Sequence, residues 1–183
     1  MLKSINPYTN EPIKELNKLH VGDPSKEDTD LGPLASIQQA EIVEEQVRLS
    51  VEMGARVIAG GIREKAFYQP ALLIDVRPGM PVFDEEVFGP VAPVILAKDT
   101  TEAIRLANQT KFGLGVSLFT NDLKKAGDLV HEFHDGAVFI NSMVKSDQRL
   151  PFGGTKHSGF GRELAIHGIR EFVNIKTVFF KKF

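Results

Sequence analysis

The chain has 183 residues, of which 42% are hydrophobic and 25% charged, a composition typical of one soluble globular domain. Its net charge of −2, with basic and acidic residues interleaved, argues against nucleic acid or an anionic membrane as a partner. It contains no cysteine, which excludes disulfides, thiolate metal sites and a cysteine nucleophile. No apolar run reaches the length of about 18 residues that a membrane-spanning helix requires, so a soluble, cytosolic protein is expected.

Turn-forming residues dominate the start of the chain. Prolines and asparagines in residues 4–12 favour turns and extended backbone over helix. The first helix is predicted further along, with Gly54 as its natural end. Its apolar residues recur at steps of three and four, at Ile37, Ala40, Val43, Val47 and Val51.

Short apolar stretches then alternate with helical patterns, which predicts an α/β fold with helices packed on a sheet. Strands are predicted at residues 55–59, 70–74, 91–97, 115–119 and 137–140. One helix is predicted to start at a cap on Thr100 or Thr101. A second is predicted to start at Asn121 or Asp122, and its inward residues are Leu123, Ala126, Leu129, Val130 and Phe133.

Two histidines, His131 and His134, are spaced i, i+3 on that second helix and could contact one metal ion. Glu132 and Asp135 lie beside them, so a solvated helix face explains the pair and no metal site is predicted.

The last third begins with a glycine-rich stretch at residues 151–163, which predicts a specifically shaped loop. A short helix is predicted to end near residues 169–172, and alternating apolar residues predict a strand over residues 173–180. An unpaired terminal strand invites aggregation, and pairing with another subunit would avoid that hazard.

Two longer motifs match a known family at many positions at once. DEEVFGPV at residues 84–91 and PFGGTKHSGFGRE at residues 151–163 resemble signatures of the C-terminal half of aldehyde dehydrogenases, in the right order. The resemblance runs from about Leu19 to Val178. Residues 144–150 and 171–178 are similar to bacterial succinate-semialdehyde dehydrogenases in particular.

The resemblance implies an open, mostly parallel sheet with helices on both faces, a truncated form of the family's catalytic domain. It implies three regions. Residues 1–18 are an N-terminal family segment that ends in a deletion junction, residues 19–172 the truncated catalytic domain, and residues 173–183 an oligomerisation strand.

A cofactor site follows from the first motif. By resemblance, Glu86 would hydrogen-bond the nicotinamide-side ribose of NAD or NADP, and Phe88 would pack against the nicotinamide. A carboxylate can accept from two ribose hydroxyls, and an aromatic face suits a flat ring. Without the family match, Glu85 and Glu86 would be interpreted as a solvated charge pair.

A substrate site follows in the same way. Ser146 resembles a serine that helps bind the substrate carboxylate in succinate-semialdehyde enzymes, and Arg149 and Lys145 could add charge nearby. An ordinary polar loop is the alternative interpretation, because the arginines that complete this site in the family lie outside the chain.

The family's chemistry needs groups that this sequence lacks. Its members use a cysteine thiolate to attack the aldehyde, NAD or NADP to accept hydride and a glutamate as general base. The resemblance places these groups in a region that is missing here, and Asn17 and Lys18 look like its junction. No catalytic residue is predicted. The chain alone is expected to be inactive and to hold no cofactor, since half a cofactor site binds weakly.

Three functional hypotheses stay open. The chain is a truncated NAD(P)-dependent aldehyde dehydrogenase, whose full-length relative oxidises succinate semialdehyde. Alternatively it is a non-catalytic interaction module, which forms a homo-oligomer or assembles with a full-length homologue through residues 6–8 and the terminal strand. A degraded or engineered fragment without its own function is the third.

Overall fold

The computed structural model describes residues 3–5, 12–15 and 19–183. The chain forms two compact units, Met1–Leu96 and Ala97–Phe183. The helices are α1 (Ile37–Glu52), α2 (Pro81–Asp84), α3 (Thr100–Gln109), α4 (Leu123–Leu129) and α5 (Ala165–Glu171). The strands are β1 (Lys3–Ile5), β2 (Pro12–Glu15), β3 (Arg56–Ala59), β4 (Arg63–Glu64), β5 (Phe67–Tyr68), β6 (Ala71–Ile74), β7 (Val91–Pro93), β8 (Phe112–Gly113), β9 (Val116–Leu118), β10 (Val138–Ile140) and β11 (Thr155–Lys156).

The α/β class predicted from the sequence is confirmed, and the sheets are mixed. In the first unit, β6 lies between β3, which is antiparallel to it, and β7, which is parallel. In the second unit β9 and β10 pair in parallel, and β8 and β11 antiparallel. The expected predominance of parallel pairing is not seen in the described strands. Tight connections such as the one between β4 and β5 allow only antiparallel pairing.

The described core lies in the first unit, where α1 contributes its inward face. Ser36 caps the helix by accepting a hydrogen bond from the Gln39 amide at 3.0 Å, and Gly54 follows its end with a φ of +108°. Ala40, Val43 and Val47 are buried as predicted, whereas Ile37 and Val51 near the helix ends are exposed. The buried cluster comprises Val43, Val47, Ala55, Tyr68, Ala71, Leu73, Val76, Met80 and Val82.

Two sequence predictions for the start of the second unit need correction. The cap of α3 is Asp99, not Thr100 or Thr101, and its carboxylate accepts from the Glu102 amide at 2.8 Å. In α4, Asp122 is the cap as predicted, but Leu123 is exposed and Ala126 is the helix's buried residue. A helix of two turns presents too narrow a face to bury every apolar residue it carries.

The histidine pair also differs from the prediction. Helix α4 ends at Leu129, and His131 lies in a following 3₁₀ turn at Val130–Glu132, so His131 and His134 do not share a helix.

The end of the chain has no regular secondary structure and is solvent-exposed. Within the chain as described, residues 173–183 form no strand, so the strand expected over residues 173–180 is not formed by one copy alone. The predicted contact segment at residues 6–8 and the junction at Asn17 and Lys18 lie outside the described residues. Across the described ranges, none of the helices combines the length and apolar character needed to span a bilayer.

Candidate functional site

The segment from Glu85 to Gly89 leaves the end of α2 and runs along α1. Helix α2 starts with Pro81, which suits the first turn of a helix, and the Glu85 amide closes it by donating to the Pro81 carbonyl at 2.9 Å. Gly89 sits directly against Val43, because a Cβ at this glycine would lie only 2.7 Å from Val43 Cγ2. Any larger residue at position 89 would collide with the Val43 side chain unless one of the two shifts.

Two glutamine side chains of α1 hold this segment. Gln46 Nε2 donates to Glu85 Oε2 at 2.9 Å and to the Glu86 carbonyl at 3.2 Å. Gln39 Nε2 donates to the Phe88 carbonyl at 3.0 Å. The main chain is thus fixed at Glu86 and at Phe88, the two residues predicted to contact a cofactor.

The side chains of Glu86 and Phe88 are turned to solvent. Glu86 is exposed, and Phe88 is 67% exposed, which is unusual for a phenylalanine next to a packed helix. Beside this segment, Glu85 and α1 line a shallow groove of about 350 Å³ that includes Ile42 and Leu49. An acceptor and an aromatic face are therefore available to a ligand.

Ser146 and Arg149 lie in the second unit, on an exposed bend between β10 and the glycine-rich loop. The Arg149 guanidinium is already engaged: its Nε and Nη2 donate to the two carboxylate oxygens of Asp147 at 2.9 and 2.6 Å. This pairing, together with the Arg149 amide, holds the pKa of Asp147 well below its usual value. Asp147 occupies only the Nε/Nη2 edge of the guanidinium, which leaves the Nη1 hydrogens and the second Nη2 hydrogen outside the ion pair.

The glycine-rich loop is tied to β8 and its neighbours. Strand β11 within it pairs with β8, and Thr155 Oγ1 donates to the His134 carbonyl at 2.7 Å. Lys156 Nζ donates to the Asn108 carbonyl at 2.9 Å, and Arg162 Nη1 to the Gly154 carbonyl at 2.9 Å. Gly159 and Gly161 adopt φ values of +125° and +78°, which glycine alone takes up readily. The loop is specifically shaped, as its sequence predicts.

Comparison with known proteins identifies the family. The sequence pattern of the aldehyde dehydrogenase family matches residues 3–178 of this chain. The chain belongs to the aldehyde dehydrogenase family.

Among its relatives are succinate-semialdehyde dehydrogenases. Succinate-semialdehyde dehydrogenase (NADP+) 1 of Mycobacterium tuberculosis is 44% identical over 174 residues, which cover 93% of this chain and 38% of that protein. The NAD(P)+ enzyme of Escherichia coli is 41% identical over the same share of both chains. The crystal structure of succinic semialdehyde dehydrogenase from Streptococcus pyogenes in complex with NADP+ superposes with a TM-score of 0.85 at 34% identity, covering 90% of this chain and 37% of the other. The chain thus spans less than two fifths of the length of these family members.

The residues predicted for a nicotinamide cofactor of the aldehyde dehydrogenase family fit that role in chemistry and exposure. Glu86 offers a carboxylate to hydroxyl donors, Phe88 offers a ring face, and both rise from a main chain held by α1. In the part of the chain that the structure describes, no group of three or more His, Asp or Glu residues is placed to hold a metal ion.

The residues that hold the Glu85–Gly89 segment and the glycine-rich loop in place were not predicted from the sequence. Gln46 and Ser50 sit on the buried face of α1 at 7% and 0% exposure, where the apolar pattern predicts hydrophobic residues. Their burial could have been inferred from their spacing, because Gln46 lies three residues after Val43 and Ser50 three residues after Val47. No sequence pattern marks Arg162 and Lys156 as loop-holding residues, because a charged residue in a glycine-rich loop is expected to face solvent.

Proposed function

We propose that this chain supplies two binding contacts of a succinate-semialdehyde-oxidising, NAD(P)-dependent aldehyde dehydrogenase, and that it does not catalyse the oxidation by itself. Glu86 and Phe88 contact the nicotinamide end of the cofactor, and Ser146 with Arg149 contacts the substrate carboxylate. The proposal is carried by one observation: the exposed side chains of Glu86 and Phe88 stand on a segment whose carbonyls are fixed by α1.

The cofactor contact follows from hydrogen-bond chemistry. Glu86 is an acceptor for ribose hydroxyls, and Phe88 presents an aromatic face against which the nicotinamide can pack. The nicotinamide, when bound, supplies a hydride acceptor. The residues of this chain bind and orient that ring, and a charge-assisted bond from hydroxyl to carboxylate stabilises its position.

The substrate contact follows from charge. Succinate semialdehyde carries a carboxylate at the end opposite its aldehyde, and the hydroxyl of Ser146 and the guanidinium of Arg149 are donors to such a group. Asp147 occupies only the Nε/Nη2 edge of the Arg149 guanidinium. The substrate carboxylate accepts from the remaining Nη1 and Nη2 hydrogens, while Asp147 orients the guanidinium.

The missing step is nucleophilic attack. The 183-residue sequence contains no cysteine, so a thiolate cannot form the covalent intermediate on this chain. A longer protein or an assembly that provides the thiolate and the general base would complete the site. The cytosolic location expected from the sequence stays a prediction.

The cofactor contact is tested by measuring weak NADP+ binding to the purified chain with saturation-transfer NMR on the nicotinamide protons. Glu86→Gln should weaken binding about tenfold, because it removes a charged acceptor. Glu27→Gln, at an exposed glutamate of the same unit, should leave binding unchanged and serves as the matched control. An equal signal for Glu86→Gln and wild type contradicts the proposed contact.

A second candidate function, an oligomerisation module, is favoured by the exposed apolar residues of the last segment. Ile175 is 78% exposed, and Phe179 and Phe180 are 82% and 88% exposed. A monomeric soluble protein rarely exposes several large apolar side chains within one short segment. The partner we propose is a second copy of this chain or a full-length homologue, to which the segment could pair as a strand.

A further inference from the structure

One face of α1 contacts residues 82–89, the stretch that carries Glu86 and Phe88. Residues Gln39, Val43, Gln46 and Ser50 are spaced by four, three and four positions and therefore share a helix face. Each contacts a different point of residues 82–89. Gln39 and Gln46 hold carbonyls, Val43 packs on Gly89, and Ser50 Oγ accepts from the Val82 amide at 3.1 Å.

Gln46 is the central member of this face and has an unusual environment. Its side chain is buried, with 7% exposure, and among the described residues its Oε1 has no hydrogen-bond partner. A buried amide oxygen without a partner destabilises the fold, so packing alone favours an apolar side chain of similar volume at this position. What glutamine adds is the pair of hydrogen bonds from Nε2 to Glu85 and Glu86.

We infer that Gln46 is a positioning residue for cofactor binding. By binding the Glu86 carbonyl and the Glu85 carboxylate at once, it turns the Glu85 side chain back toward α1 and leaves the Glu86 side chain directed to solvent. Gln39 fixes the Phe88 carbonyl in the same way, so the spacing of Glu86 and Phe88 is set by α1. This inference rests on the proposed cofactor contact of Glu86.

The test replaces Gln46 with leucine, which has a similar volume and no polar atoms. In Gln46→Leu, hydrogen exchange of the Glu85 and Gly89 amides, which donate to the Pro81 and Val87 carbonyls, should rise about tenfold because the segment is no longer held. The melting temperature should stay equal or rise because the unpaired oxygen is gone. NADP+ binding, measured by saturation-transfer NMR, should weaken about tenfold. Gln109→Leu removes an exposed glutamine from α3 in the second unit and should change neither quantity.

Gln46→Met, with an unbranched side chain, repeats the test should the leucine variant not fold. The positioning role is overturned when exchange in residues 85–89 equals that of wild type, or rises uniformly across the unit with a lower melting temperature. It is also overturned when exchange rises locally but NADP+ binding does not change. Failure of the proposed cofactor contact is recognised separately, because then Glu86→Gln leaves NADP+ binding unchanged even though exchange still reports the Gln46 hydrogen bonds.

Discussion

At the scale of single residues, Asp147 and Arg149 form an ion pair in the region of the proposed substrate contact. The arginine side chain is 85% exposed and the aspartate 25%, so the free edge of the guanidinium is open to a second acceptor. An exposed ion pair of this kind contributes little to stability.

The pair predicts an abnormal titration. Arg149 lowers the pKa of Asp147, so the carboxyl protonates only well below its usual value of 3.8. Because the folded-state pKa is lowered, any stabilisation from the pair is present above pH 3.8 and is lost as the pH falls through the lowered pKa. NMR titration of the Asp147 side-chain carboxyl should show this low midpoint, and Arg149→Gln should return it toward 3.8. Equal midpoints in the two proteins would refute the pairing, and Arg170→Gln, at an exposed arginine of α5, is the control.

The sequence predicted the candidate residues of the two sites, but not the hydrogen bonds and ion pairs that hold those residues in place. The motif around Glu86 and Phe88 identified the exposed segment, because a joint match of many positions is specific. The ion pair in which Arg149 donates to Asp147 was not predicted, since a contact at i, i+2 depends on the local bend of the chain. The contact of Gln46 with Glu85 and Glu86 was not predicted, because it arises from the packing of α1 on residues 82–89, which is a tertiary contact.

At the scale of elements, helix α1 is the organising part of the first unit. Its stripe of Ala40, Val43 and Val47 was predictable from three- and four-residue spacing, and so was its end at Gly54. Strand direction was less predictable. Apolar stretches located β3, β6, β7, β9 and β10, but whether neighbours pair parallel or antiparallel depends on connections that the pattern does not encode.

The close packing of the 82–89 segment on α1 predicts a large effect from a small substitution. Gly89→Ala places a Cβ 2.7 Å from Val43 Cγ2, and Val43 is fully buried and, being β-branched, stiff at χ1. We expect Gly89→Ala to lower the free energy of unfolding by about 1–3 kcal/mol, measured by urea denaturation.

Gly127→Ala is the matched control for that substitution. Gly127 lies inside α4, and apart from the helix's own backbone no atom lies within 4 Å of the position that an added methyl group would take. Alanine should therefore raise stability by about 0.5–1 kcal/mol. Equal stability changes for the two variants would show that Gly89 is not confined by Val43.

At the scale of the whole molecule, apolar burial is distributed unevenly between the two units. Nearly all fully buried hydrophobic residues of the described chain belong to the first unit, and Ala126 is the example in the second. The second unit exposes large side chains such as Phe119, Met143 and Phe160. Exposed apolar surface on this scale is typical of proteins that associate.

Self-association through the last segment predicts a concentration-dependent change in sedimentation. The wild-type chain should sediment as a dimer or larger species at micromolar concentration, because the apolar residues of 173–183 become buried on pairing. The double variant Ile175→Lys, Phe179→Lys should shift the protein toward monomer, whereas Lys176→Ala should not. A wild-type monomer across the whole concentration range, alone and when mixed with a full-length homologue, would contradict the oligomerisation proposal.

We propose that this member of the aldehyde dehydrogenase family provides binding contacts without the group that reacts. To test this, the purified chain is incubated with succinate semialdehyde and NADP+, with and without added thiol, and NADPH is followed by its absorbance. We expect no NADPH above the protein-free control, because the sequence offers no cysteine to attack the aldehyde. Catalytic NADPH formation without thiol that is abolished by Glu86→Gln would contradict it.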